Sequence, residues 1–448
     1  MKNLQQVKVL CLILGLQFID QTLAEDKLAY VFQLIRHGAR APLVETEPWI
    51  FKVPTGHLTA EGMRQRYLMG QFNRQRFIQV QDQMQSDSNL GESINQGSNK
   101  GFLDDEYNPN QIYVQSTTVP RAVQSTYSEL LGLYPPKGSK LTEGENQSLI
   151  SGKGQPKLKL RNLQQNTEDL DSLHSTIDGL TIIPNFNYLT YNPLMFDSCP
   201  YVDDRFDYYY SKKAEETFAD VSSYILPIVK KSLGKSQGFN DTQINALTFK
   251  DCYRIQDQIK AEQFEGRNHT FHFTNEVWAN SRNIQKWILT LPQGDEGRAL
   301  LQTKAMEFPL KVMSDRLQSI IKQKDDLKRD ELKYVIYSGH DDQIANLLMW
   351  LDPYHYEFLD VPYTSNVYFE LHYDDECLTQ VGDESCFSVH VIHEGRPLSF
   401  DTCLDGNIKR NSKSKNCSYT DFIEHINKIK YQGDTHFKCL EQFVPPTL

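Results

Sequence analysis

Between Arg36 and Pro42 the chain reads RHGARAP, so two guanidiniums four residues apart flank one imidazole, just beyond the apolar run LAYVFQLI. Far downstream, KYVIYSG leads into His340 and Asp341, and an earlier run, IYVQST, leads toward Arg121. Each run is short, rich in β-branched and aromatic residues, and followed by ionisable side chains, as expected of strands buried on both faces. In open α/β sheets, ligands bind beyond the carboxyl ends of such strands. If the three ends meet, one pocket collects Arg36, Arg40, Arg121, His37, His340 and Asp341.

Three guanidiniums present forked N–H donors that match a phosphoryl group in charge and geometry, and a simple carboxylate would not require three. His37 is then the candidate nucleophile, because a neutral ring nitrogen can attack phosphorus and hold it until water arrives. Arg36, Arg40, Arg121 and His340 are expected to hold the charge on the transferring oxygens, and Asp341 to protonate the leaving alkoxide. Gly38 is expected to let the backbone approach the bound group. The guanidiniums should hold His37 below the ~6.5 of a free imidazole, while bound phosphate should raise Asp341 above ~3.9, so activity should peak below neutrality. Taken singly, an Arg–His pair is most often a solvated turn and a His–Asp pair a helix start. The five fixed positions of Arg-His-Gly-x-Arg-x-Pro, however, arise by accident in roughly one chain of this length in ten thousand.

The elements that must position these residues can be read from periodicity. Helices are expected over Thr59–Arg76, with Met63, Tyr67, Leu68 and Phe72 on one side and Thr59 as cap, and over Ala214–Lys231, with a stripe of Phe218, Val221, Ile225, Ile228 and Val229 interrupted by Pro227. A third is expected within Arg298–Lys322, and QIANLLMWL after Asp341 reads as another. Gln79–Gly101 and Lys137–Gly154 are polar and Gly/Ser/Gln/Asn-rich, so they are expected to be long surface loops. Strands separated by helices indicate an α/β fold with a mainly parallel sheet and helices on both faces.

Composition bounds the rest. The chain has 448 residues and a net charge of -11, enough to bury a large core and inconsistent with a general attraction to nucleic acid. Lys2 and Lys8, the apolar run Val9–Leu16 and Thr22-Leu23-Ala24 read as a secretory signal over residues 1–24, the run being shorter than the ~20 residues of a spanning helix, so no stable membrane anchor is expected. Sequons begin at Asn146, Asn240, Asn268 and Asn416. Once Cys11 leaves with the signal, an odd set remains: Cys199, Cys252, Cys377, Cys386, Cys403, Cys417 and Cys439. In an oxidising compartment that allows up to three bridges and a leftover thiol. A bridge between Cys377 and Cys386 is the easiest to argue, since they bracket the turn between NVYFELHY and CFSVHVIH. His269 and His272 are spaced like a strand pair, and His372, His390 and His393 fall in C-terminal strands; all five read as structural or surface residues, with no metal and no cofactor expected.

RHGARAP near the mature N-terminus and SGHD late in the chain resemble the two signatures of the histidine acid phosphatases. PTGHLTAEGMRQRYLMGQFNRQRF resembles that family's first helix after the active-site loop, VQSTTVPRAVQSTYSELLGLYPP its second-arginine segment and DSCPYVDDRF its cap. Within the family, the lysosomal and prostatic type is the most similar. The resemblance implies His37 as phosphorylated nucleophile, Arg36, Arg40, Arg121 and His340 as phosphate ligands, and Asp341 as proton donor. It also implies an α/β domain over 25–136 and 297–448, a mostly helical cap inserted at 137–296, bridges Cys199–Cys439 and Cys403–Cys417, and dimerisation. The family usually has Arg-Ser-Thr-Asp where this chain has Gln115-Ser116-Thr117-Thr118, and Ser-Ala where it has Ser338-Gly339. The usual partner position of Cys252 is Asn366, so Cys252 is expected to be the free thiol. The implied partners are small phosphate monoesters, met in the lysosome or outside the cell. Two alternatives remain: an inositol-phosphate or lipid-phosphate phosphatase, and a secreted binding protein on the same fold that has lost catalysis. The latter should have replaced His37 or Asp341, and both are present.

Overall fold

A computed structural model describes residues 26–44, 47, 49–79, 101–136, 180–188, 192–195, 198–267, 271–323, 331–403 and 417–446. The expected signal, the two polar loops apart from their first and last residues at 79 and 101, His269, and the sequons at Asn146, Asn268 and Asn416 lie outside them.

The first buried run forms β1 (Asp26–Arg36), the second β2 (Ile112–Ser116) and the third β3 (Tyr334–Gly339). They pair in parallel in the order β2-β3-β1, with Arg36 opposite Gly339 and Ser116 opposite Ser338. That register matters for chemistry: the three strands run out at one level, so whatever follows each of them emerges at the same edge of the sheet. The sheet is mixed, because β4 (Asn366–Asp374) runs antiparallel to β1 and continues through β5 (Phe387–His393) to β6 (Arg396–Leu398), while β7 (Cys417–Ser418) adds to β5.

Strand alternation sorts the side chains to two faces. Phe32, Leu34, Tyr337, Phe369 and Leu371 face a core shared with α8 (Gly294–Gln323), α9 (Asp341–Leu351) and α10 (Tyr419–Ile429). Val31, Ile35, Tyr334, Ile336 and Tyr368 face a second core with α1 (Ala60–Phe77) and α2 (Pro120–Leu133), so helices cover both faces. Between α2 and β3 the chain adds α3 (Pro200–Asp207), α4 (Ala219–Ser236), α5 (Asp241–Ala246), α6 (Phe249–Phe264) and α7 (Asn275–Thr290). Phe218, Ile225, Val229, Phe249, Ile259, Ile284 and Ile288 there form a core of their own.

Two helix expectations need correction. Thr59 does cap α1, accepting from the Gly62 N–H at 3.2 Å. The buried face is not the apolar one, however: Met63, Leu68 and Phe72 are exposed, while Gly62, Arg66, Gly70, Asn73 and Phe77 are buried. Apolar spacing misled because this helix buries a polar cluster, with Arg66 ion-paired to Glu129 and Asn73 donating to Glu129 Oε1 at 2.8 Å. Pro227 does not interrupt α4, which runs through it from Ala219, and the chain breaks instead near Phe218. His272 lies in irregular structure, not in a strand.

The bridges are Cys199–Cys439, Cys377–Cys386 and Cys403–Cys417, and Cys252 is a free, buried thiol. The first ties α3 to α11 (Thr435–Leu440), and the second closes the connection between β4 and β5.

At Gly70 and Gly132 helices α1 and α2 meet backbone to backbone. A Cβ added at Gly70 would lie 2.0 Å from the Glu129 carbonyl oxygen, and one at Gly132 would lie 2.1 Å from that of Tyr67. Backbone cannot yield as a flexible side chain can, so the helices would have to separate. Gly132→Ala should therefore lower unfolding stability by about 1–3 kcal/mol, the usual cost of overpacking. Denaturant melts with the bridges intact measure this, and an unchanged midpoint would contradict it.

Candidate active site

The three strand ends deliver their residues to one place. Arg36 is the last residue of β1, His37 follows it, His340 caps α9 and Asp341 begins that helix, and Arg121 sits in the first turn of α2. Arg36 Nη2 lies 2.8 Å from Asp341 Oδ2, and the His37 and His340 rings are 5.3 Å apart at an angle of 65°. Arg121 Nη1 donates to the Gly56 carbonyl at 3.4 Å, which anchors it to the loop that follows Arg40.

The His37 ring has a defined tautomer. Its Nδ1 lies 2.8 Å from the Gly38 carbonyl oxygen, which can only accept, so Nδ1 carries the proton and Nε2 keeps its lone pair. Burial, with Arg36, Arg121, His340 and Arg40 acting in the same direction, holds the His37 pKa well below the usual imidazole value. The ring is therefore neutral in mild acid, as a nucleophile must be. Burial outranks the guanidiniums as the cause, which the sequence could not show.

Gly38 also has a packing task that the sequence did not show. A Cβ there would lie 2.2 Å from the Gly62 carbonyl oxygen, and one at Gly62 would lie 2.1 Å from that of Ala39. The missing side chain lets α1 press against the loop. The Gly38 N–H donates to Ser125 Oγ at 3.0 Å and the Ala39 N–H to Gln65 Oε1 at 2.9 Å, so both helices hold the turn.

Four buried nitrogens here have no hydrogen-bond partner: Nε of Arg36, Arg40 and Arg121, and Nδ1 of His340. Unpartnered buried donors are costly, and such a set on three convergent strand ends fits an oxyanion ligand. His340 Nε2 is held 3.0 Å from Thr117 Oγ1, and burial, with Arg121, lowers the His340 pKa to about 3 against the opposing charge of Asp341. It thus offers a hydrogen bond and not a charge. Among the departures from the family pattern, Gln115 turns away to donate to Asn192 Oδ1 at 3.0 Å, so it neither pairs with Arg121 nor repels it.

Much of what completes the site was invisible in the sequence. Asp257 on α6 takes both terminal nitrogens of Arg40, at 2.9 and 3.1 Å, and accepts the Leu43 N–H at 3.0 Å. Three residues on, Lys260 Nζ donates to Asp360 Oδ2 at 2.8 Å, and Arg282 Nε to Asp360 Oδ1 at 3.0 Å. Burial, with the charge of Arg36, lowers the Lys260 pKa to about 8, although Asp360 opposes this. Tyr363 lays its ring 4.5 Å from the Arg36 guanidinium carbon and 5.9 Å from that of Arg40. Gln285 Nε2 donates to Asp341 Oδ2 at 2.6 Å. None of these residues stands in a local motif; they lie on a helical segment or a loop far from both signatures in the chain.

Asp341 departs from expectation in the free protein. Burial pushes its pKa up, but Arg36, Arg40, His340 and Lys260 outweigh that and bring it down to about 2. Its neighbour Asp342 goes the other way, pushed to about 7 by burial and then by the charge of Asp341. Since an unfolded aspartate titrates near 3.8, folding must take up a proton at Asp342 over roughly pH 4 to 7, so stability falls as pH rises through that window. Below about pH 4 the group is neutral in both states and contributes nothing. Asp342→Asn should therefore stabilise the protein by about 1–4 kcal/mol at pH 8 and hardly at all at pH 4. Thermal or denaturant melts at the two pH values test this; equal effects at both would refute it.

The geometry agrees with what the chain is similar to. The model of the histidine phosphatase superfamily (branch 2) matches residues 47–394. The lysosomal acid phosphatase of Xenopus laevis is 23% identical over 376 residues, covering 83% of this chain and 72% of its own length. The human lysosomal acid phosphatase is 23% identical over 390 residues, covering 82% and 73%. Among solved structures, the phytase from Citrobacter braakii superposes with a TM-score of 0.54 at 16% identity, over 93% of this chain and 99% of that one, a likeness of fold. The chain belongs to the histidine phosphatase superfamily, branch 2, and it is a phosphatase. The match begins beyond Arg40, so the roles of Arg36, His37 and Arg40 rest on the geometry.

Proposed function

We propose that the protein is an acid phosphatase that hydrolyses phosphate monoesters through a phosphohistidine at His37. The observation that carries this is the His37 ring, buried, neutral and with a free Nε2, among buried N–H donors that lack partners. In the first step Nε2 bonds to phosphorus as the ester P–O bond breaks, and Asp341 gives its proton to the departing alkoxide. In the second, water attacks phosphorus, the P–N bond breaks, and Asp341 takes the proton from that water. Arg36, Arg40, Arg121 and His340 hold the three transferring oxygens.

Simple monoesters are favoured over polyphosphorylated substrates by the charge balance around the site. Among the described residues, Lys260 and Arg282 are both engaged with Asp360, and the terminal nitrogens of Arg40 with Asp257. These carboxylates hold the terminal nitrogens of all three cations, which argues against a ready second phosphate site there. Trp49, Phe51 and Val53 instead pack with Ala41 and Ala261 as an apolar wall beside Arg40. The bridges and the similarity to lysosomal enzymes support export to a lysosome or the cell exterior. The chain 137–296 is proposed as a cap on an α/β domain formed by 25–136 and 297–448.

Turnover of p-nitrophenyl phosphate should be highest below pH 7 and insensitive to chelators. His37→Ala should reduce it at least 10³-fold and abolish the acid-trapped covalent phosphoryl label. Asp341→Ala should slow alkyl phosphates far more than p-nitrophenyl phosphate, whose leaving group needs no proton. A label on another residue, or a rate still climbing at pH 8, would overturn the assignment.

A further inference from the structure

The far end of the sheet holds a second set of ligating side chains that the phosphatase chemistry does not use. Along β4, Tyr368 faces the α1/α2 side and Phe369, Leu371 and Tyr373 the other, so period-two alternation puts Glu370 and His372 on the α1/α2 side. Register then places His390 of β5 directly opposite Glu370. One ligand atom from each of Glu370, His372 and His390 lies within 4.8 Å of the other two. His372 Nε2 is 3.3 Å from Glu370 Oε2, and the two imidazole rings stack with centroids 4.1 Å apart.

An ordinary structural role explains only part of this. Arg76 at the end of α1 pairs with Glu370 at 2.6 Å, which by itself satisfies the carboxylate. It does not account for two imidazoles stacked beside it, of which His390 has only a 3.3 Å contact from Nε2 to Ser388 Oγ.

We propose that Glu370, His372 and His390 form a binding site for a divalent transition-metal cation, Zn²⁺ in the first instance. Two imidazoles and one carboxylate are the donor set for such borderline cations. Bonds of about 2.0–2.1 Å to a tetrahedral ion leave ligand atoms about 3.3 Å apart, the separation that His372 and Glu370 already have. A ligand nitrogen of His390 lies within 4.8 Å of both of these atoms. Arg76 becomes the outer partner of the ligating carboxylate, and water takes the fourth position. Glu370 lies opposite Val31, five residues before Arg36, so the site stands roughly 17 Å from the strand ends. It is a clamp across β4 and β5, independent of phosphoryl transfer. It also departs from the sequence reading of His372 and His390 as merely structural or surface residues.

The full chain, stripped with a chelator and titrated with Zn²⁺ at pH 7, should bind about one ion with a rise in thermal midpoint. Glu370→Gln and His390→Gln should each weaken binding at least tenfold and remove that rise, while p-nitrophenyl phosphate turnover stays the same in both variants and after chelation. Co²⁺ should give visible absorption bands in the native chain that His390→Gln abolishes, a readout that still decides if Glu370→Gln does not fold. No Zn²⁺ retained by the native chain, or equal affinity in the folded variants, would overturn the proposal.

Discussion

A dense group of cations withheld from water is the constraint to which the rest of the structure answers. Arg36, Arg40 and Lys260 are buried, Arg121 is largely so, and the three guanidiniums all act on the His37 and His340 rings. Left alone, such charges would repel one another and pull the strand ends apart. The fold distributes compensation over separate stretches of chain: Asp341 from α9 on Arg36, Asp257 from α6 on Arg40, Asp360 from a loop on Lys260, and the face of Tyr363 against two guanidiniums. Breaking one buried pair of this kind costs about 3–5 kcal/mol, because it leaves an uncompensated charge behind. The helices α3–α7 therefore do more than pack against one another. Through Asp257 and Lys260, α6 completes the electrostatics of the loops that follow β1 and precede β4, and a chain lacking α6 would leave a different field at the strand ends.

The same constraint shapes what lies beneath the site. On the α1/α2 side of β1, Gln33 is wholly buried and donates to Glu129 Oε1, Asn366 Oδ1 and the Tyr368 hydroxyl at 2.9–3.1 Å. Arg66 joins Glu129 and Asn366 from α1. A densely connected polar layer of this kind fixes one arrangement of strands and helices where an oily contact would tolerate several, even with Arg66 Nε left unpartnered. It also explains the exposed apolar residues of α1, because the inward face is already taken by polar groups and by glycines that bring backbones together.

How much of this could be read from the chain depends on whether the signal was local. The strands, their ionisable ends, the cap at Thr59 and the Cys377–Cys386 closure all leave a trace within a few residues. The parallel register that levels Arg36, Ser116 and Gly339 does not, but short buried runs between helices imply it. Asp257, Lys260, Asp360 and Tyr363 leave no trace at all, since each acts only through a partner that is distant in sequence. The face of α1 was misread for a physical reason: periodicity reports where apolar residues cluster, and here burial follows glycine and hydrogen bonding instead.

The low pKa of Asp341 looks at first like an objection to its use as an acid, since a carboxyl near 2 has no proton to give at pH 5. The groups that hold it down, Arg36, Arg40 and His340 among them, are the ones proposed to bind phosphate. On the proposed mechanism the bound ester brings its own negative charge into their field. Raising the carboxyl by three units requires about 4 kcal/mol. One unit charge at about 4 Å, at an effective dielectric of 20, supplies about that much. On that proposal a monoester makes the acid it needs as it binds, and once inorganic phosphate leaves, Arg36 draws Asp341 back to the carboxylate. In the free protein the proton held in mild acid is then on Asp342, whose raised pKa comes in part from the charge of Asp341, and Asp341 itself stays a carboxylate until an ester arrives.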